Sequence, residues 1–104
     1  MDLVVLTIAG CPHLAPALHD LRVALDSLGL HDEDIQVFVV DSPDQAMALE
    51  FRGSPTFVAG GADLFPEEGK PTGLSCRLYR TPSGLKGSPG AERLAERLGD
   101  RHTG

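Results

Sequence analysis

Tryptophan is absent, tyrosine occurs once, and aromatic residues make up 5% of the 104 positions. Basic residues are scarce too: 9 Lys and Arg against 15 Asp and Glu give a formal net charge of −6. A nucleic-acid surface needs clustered Lys and Arg, so this balance argues against a nucleic-acid partner. Two cysteines are too few for the disulfide framework of a small secreted domain. The apolar run in MDLVVLTIAG breaks after about eight residues and has no basic flank. It is too short for a membrane span and poor as a signal peptide. No glycine-rich phosphate loop, zinc-type Cys/His cluster, serine triad, internal repeat or linker is present. One cytoplasmic domain over 1–104, with no membrane partner, is the expectation. In that compartment thiols stay reduced unless they do chemistry.

Leu3 to Ile8 is β-branched or leucine throughout, as in a strand buried on both faces. Pro12 suits the first turn of a helix. Leu14, Leu18, Leu21, Leu25 and Leu28 then form one apolar stripe, which Gly29 can end in a left-handed cap. Pro16 is a blemish in this helix, since it lacks an N–H and threatens a kink near its start. Ile35 to Val40 reads as a second strand, so strand, helix and strand make a right-handed parallel βαβ unit.

Ser42-Pro43-Asp44-Gln45 carries an N-cap, a first-turn proline and a capping-box glutamine, opening a short helix through Met47 and Phe51. Gly53-Ser54-Pro55 breaks it. Thr56 to Ala59 and Ala62 to Phe65 read as a hairpin across Gly60-Gly61. Residues 66–87 are irregular, and Cys76 to Tyr79 fits either a short strand or a helical turn. Ser88-Pro89 repeats the cap-plus-proline start, with Ala91, Leu94, Ala95 and Leu98 as the apolar side of a final helix. Asp100 to Gly104 reads as a frayed tail.

The resulting α/β order, β-α-β-α-β-β-α with a central mixed sheet flanked by helices, resembles the thioredoxin fold. The insertion at about 66–87 lies outside the likeness. Cys11 lies where that family puts its nucleophile, and Pro55, 44 positions later, lies where it keeps a cis-proline. More closely, GCPHL, GSPTFVAGGADLF and GLSCRLYRTPSGL resemble a group of small bacterial thioredoxin-fold proteins, the DF family. Some of its members carry selenocysteine at the place of Cys11, and some are described as related to alkylmercury lyase. The chain departs from thioredoxin in having C-P-H-L rather than C-x-x-C. Leu14 stands where the second cysteine would be and belongs to the helix stripe.

The thiolate is the nucleophile, and a helix N-terminus favours it with free N–H donors and partial positive charge. Cys11, directly ahead of Pro12, is therefore the candidate nucleophile, against the alternative of a small core residue. His13 is a candidate to stabilise the thiolate or move a proton, as the resemblance implies, against an exposed first-turn histidine. His19, His31 and His102 read as solvated, and so does the acidic stretch Asp32, Glu33, Asp34.

Pro55 is expected to be cis and to face Cys11. By the resemblance, Ser54 offers its backbone to an extended substrate. Cys76 is a candidate to resolve an oxidised Cys11 or to hold a soft metal such as mercury or copper(I) with it; a thiol in an irregular segment is the plain alternative. The leading expectation is a thiol-dependent oxidoreductase acting on disulfides, hydroperoxides or other soft electrophiles. Its partners would be a small thiol or a thiol-reducing protein, and no organic cofactor is called for. A soft-metal binding protein and a redox-silent interaction module are the alternatives.

Overall fold

The computed structural model describes residues 2–67 and 69–103, His102 and Thr103 through their backbone alone. Nine elements follow in order: β1 (Leu3–Thr7), α1 (Leu14–Ser27), β2 (Ile35–Val39), α2 (Pro43–Ala48), β3 (Thr56–Ala59), β4 (Ala62–Asp63), β5 (Tyr79–Thr81), β6 (Gly84–Lys86) and α3 (Ala91–Thr103). The fold is α/β. Four strands form a mixed sheet in the order β2-β1-β3-β4, and β5-β6 form a separate hairpin. β1 runs parallel to β2 and antiparallel to β3. Among the described residues no helix is long and apolar enough to cross a membrane.

Alternation along β1 divides the core in two. Leu3 and Val5 join Phe57 and Ala59 beneath Leu21 and Leu25 of α1 and Leu94 and Leu98 of α3. On the other face Leu6 packs with Val40, Ala46 and Phe51, and Val4, Ile8 and Val58 are only partly covered. Two helices shield the first face, whereas among the described residues the second is covered by the six residues of α2. That asymmetry leaves a cleft of about 820 Å³ lined by Val4, Leu6, Phe38, Leu49 and Val58.

α1 begins at Leu14 with His13 as its N-cap, later than Pro12 suggests. Pro16 is the reason. With no N–H, it cannot close a helical bond to the carbonyl of Pro12, so the first such bond is Ala17 N–H to His13 O at 3.0 Å. Proline is harmless there, because the first turn's N–H groups have no helical partner anyway. At the other end Gly29 has φ +75°. Its N–H reaches Asp26 O, and the Leu30 N–H reaches Leu25 O, the paired bonds of a Schellman cap.

Ser42 caps α2 by accepting from Gln45 N, and the Gln45 side chain accepts from Asp41 N rather than from the cap's own amide. Gly60 and Gly61 make the β3–β4 hairpin at φ +59° and +83°. β4 is shorter than the 62–65 expected, because the Asp63 carboxylate accepts from Phe65 N and turns the chain away. α3 starts at Ala91, three residues after Ser88, whose Oγ donates to Asp20 and accepts from the Gly90 N–H at 3.4 Å. It continues through the tail expected to fray, as far as Thr103; Gly104 lies outside the described residues.

Leu25 is fully buried between sheet and α3, while Val37 on edge strand β2 is half exposed. Leu25→Ala is expected to cost about 2–5 kcal/mol, and Val37→Ala less than about 1 kcal/mol. Urea unfolding followed by far-UV circular dichroism measures both. Equal losses would mean that the core does not lie where the sheet and helices put it.

Candidate functional site

Thr7 ends β1 fully buried, and its Oγ1 lies 2.8 Å from Ser54 Oγ. The next amide, Ile8 N–H, donates to the same serine oxygen at 3.2 Å. Ile8 O in turn accepts from Cys11 N–H, and Cys11 O accepts from Leu14 N–H, each at 3.3 Å. Gly10 supplies the positive φ of +71° that this turn needs. Cys11 is thus held half-buried in the turn before α1, tied through one residue to Ser54. Leu14 packs against the main core, as its place in the stripe requires.

The Ser54–Pro55 peptide bond is cis, and both residues are buried. Ser54 is not free to receive a substrate backbone. Its N–H donates to Ser75 O at 2.8 Å, and its carbonyl accepts from Arg77 N–H at 2.9 Å. These two bonds make a parallel bridge that sets Cys76 opposite Ser54. The insertion therefore folds back and fills the edge that an incoming strand would use. In this register the Cβ of Cys76 lies on the same face as that of Ser54, whose hydroxyl meets Thr7 and Ile8. Cys76 is exposed, and both cysteines are free thiols.

Two glycines mark where this strap approaches. A Cβ on Gly53, at φ +131°, would come within 2.7 Å of Arg77 Cβ. A Cβ on Gly87 would come within 2.3 Å of the His13 ring, so that imidazole lies against the end of the insertion. Pro12 stands exposed. His19 and His31 are exposed as expected, His31 Nδ1 meeting Asp26 Oδ1 at 3.1 Å on the surface, and the side chain of His102 lies outside the described residues.

Arg77 fastens the strap. Its side chain is 2% exposed, with NH1 2.8 Å from Asp63 Oδ2 and Nε 3.1 Å from Glu67 Oε1. NH1 also donates to Thr56 Oγ1 at 3.2 Å, and NH2 donates to Phe65 O. The guanidinium carbon lies 4.8 Å from the centroid of the Tyr79 ring. Tyr79 packs edge-on to Phe65, and its hydroxyl donates to Pro55 O. The Lys70 ammonium, followed by Arg77, holds the Glu67 carboxyl below its usual range against the opposing effect of burial.

Cys76 to Tyr79 is therefore one bridge residue followed by the start of β5, not a helical turn. Nothing local in the sequence announces that Arg77 is buried. The nearest signal is an arginine inside the otherwise uncharged LSCRLY stretch.

Among the described residues no three His, Cys, Asp or Glu side chains converge where a metal ion would sit. The cleft beside α2 is lined by none of Cys11, His13, Ser54 or Cys76. No protein-family model, curated protein or solved structure matches the chain.

Burial raises the Tyr79 phenol above its ordinary 10.0. The unfolded chain loses that proton near pH 10 while the folded one keeps it, so stability is full below pH 10 and falls as pH rises beyond it. Tyr79 is the single tyrosine and there is no tryptophan, so absorbance at 295 nm reports this group alone. Ionisation is expected only together with unfolding. A phenolate appearing near pH 10 in protein with native circular dichroism would show that the ring is not enclosed.

Removing the positive partner from a fully buried ion pair costs about 3–5 kcal/mol. Because Asp63 and Glu67 are 22% and 28% exposed and can regain water, Arg77→Met is expected at the low end of that range. It should also speed hydrogen exchange at the Ser54 and Arg77 amides. Unchanged exchange there would mean that the strap is held by something other than Arg77.

Proposed function

We propose that the protein is a thiol-based oxidoreductase of thioredoxin-like type, with Cys11 as nucleophile and Cys76 as its resolving thiol. The observation that carries this reading is the Ser54–Cys76 bridge, because the same Ser54 reaches by its hydroxyl to the turn that holds Cys11. The sheet order, with β1 parallel to β2 and antiparallel to β3, supports the thioredoxin-like arrangement. The cis bond ahead of Pro55 is the second feature in keeping with it.

In the proposed reaction with a hydroperoxide, the Cys11 thiolate attacks the terminal oxygen. The S–O bond forms, the O–O bond breaks, and the alkoxide leaves as an alcohol after taking a proton. His13, at the cap of α1, is the proposed proton source. The Cys76 thiolate then attacks the Cys11 sulfenic sulfur; the S–S bond forms and hydroxide leaves as water. Two electrons have passed to the peroxide, and an external thiol reductant restores both cysteines by exchange.

The occupied edge at Ser54 favours a small electrophile over a polypeptide. Extended peptides bind by adding main-chain bonds to an open edge, and here both groups of Ser54 are already paired within the chain.

One equivalent of hydroperoxide is expected to remove both thiols of the wild-type protein and join them in one intramolecular disulfide, read by mass spectrometry. Cys76→Ser should stop at a sulfenic acid trapped by dimedone, and Cys11→Ser should consume no peroxide. Peroxide left untouched by wild type would end the oxidoreductase reading. A dimedone-reactive wild type with Cys76 still free would leave Cys11 acting alone.

A further inference from the structure

β2 ends the four-stranded sheet, so its outer edge carries backbone N–H and C=O groups that no other strand pairs. Such edges are usually blunted by a charge, a proline or a covering element. Ile35–Val39 reads IQVFV and has none of these. Val37, Phe38 and Val39 are 44%, 43% and 46% exposed, so apolar surface faces water on both sides of the edge. Leu49 extends the patch on the Phe38 face, where it lines the cleft together with Phe38.

Charge surrounds this apolar strip at both ends. Asp32 and Asp34 precede it, and Asp41 and Asp44 follow it, all exposed. These flanks decide which strand can pair there. In a two-fold antiparallel pairing of β2 with a second copy about Val37, Asp41 of each chain would come opposite Glu33 of the other, one place from Asp34. Like charges would then meet at both ends, which is destabilising. A strand carrying Lys or Arg at those two places would meet opposite charge instead.

We propose that the outer edge of β2 is a docking site for an extended segment of a basic partner protein: an apolar run of about five residues with Lys or Arg at each end. Main-chain pairing supplies the register, and side chains beside Val37 and Val39 on one face and Phe38 on the other supply burial. The acidic flanks select the partner and discourage self-association. Asp34 and Asp41 are seven positions apart in the sequence. At roughly 3.3 Å per residue, the basic groups of the partner should therefore stand about 23 Å apart. The site is on the opposite strand edge from the strap and does not depend on the chemistry of Cys11.

The test uses the full chain and two synthetic peptides with the same Val/Thr/Ile-rich core, one flanked by lysine pairs and one by glutamate pairs. The lysine-flanked peptide is expected to shift the backbone amide resonances of residues 35–40, slow their hydrogen exchange, and bind more weakly as salt is raised. The glutamate-flanked peptide should bind at least about tenfold more weakly, because like charges are set against one another. Asp34→Lys with Asp41→Lys should reverse that order, and Val37→Lys should weaken binding of either peptide. Far-UV circular dichroism checks that each variant is folded. Equal affinity for the two peptides, or resonance shifts confined to other elements, would overturn the proposal. So would sedimentation showing wild-type protein already dimeric with residues 35–39 protected, since the occupant would then be a second copy.

Discussion

A guanidinium taken out of water must be met by acceptors around its fork, or the fold that encloses it is better off open. Arg77 meets that demand from three separate segments: Asp63 at the end of β4 with Phe65 just beyond it, Glu67 at the start of the insertion, and Thr56 on β3. The same residue gives its backbone N–H to Ser54. A single side chain thus fixes where the insertion lies, and it brings Cys76 against the cis-proline loop. The ring cluster of Phe57, Phe65 and Tyr79 closes over it, with neighbouring centroids 5.5–6.3 Å apart. In a chain with so few aromatics, most of them are gathered at this one place.

The parts of the fold that the sequence announces are those whose signals are local. The leucine stripe of α1, Gly29 after it, the Ser42-Pro43 start of α2 and Gly60-Gly61 between β3 and β4 each satisfy their own hydrogen bonds within a few residues. The parallel pairing of β1 with β2 follows from the helix between them. Cys11, Ser54 and Pro55 are legible as a group because two strand-to-turn junctions fall at the matching ends of neighbouring strands.

What is illegible depends either on small shifts of an element's start or turn, or on partners far along the chain. Pro16 is a flaw only if α1 starts at Pro12; two residues later it falls in a position that needs no N–H. The β5–β6 hairpin looks irregular because its turn is Pro82-Ser83, held by Thr81 Oγ1 accepting from Ser83 N and donating to Gly84 O. That is a side-chain turn with no glycine pair to mark it. Ser54 looks open to a substrate until Ser75 and Arg77, more than twenty residues on, are found bonded to it. The strap's own sequence contains no strand pattern, since it pairs through one residue only.

These constraints leave the two edges of the sheet differently paired. Near Cys11 both backbone groups of Ser54 are paired, and neither Gly53 against Arg77 nor Gly87 against His13 has room for a Cβ. On the far side β2 keeps a whole edge unpaired, with apolar side chains half exposed and carboxylates at both ends. Small-molecule chemistry and recognition of a polypeptide make opposite demands on a backbone edge: one is served by closing it, the other by leaving it open. With four strands there are few edges to assign. The insertion pairs the edge beside Ser54, and β2 keeps its outer edge without a partner strand among the described residues.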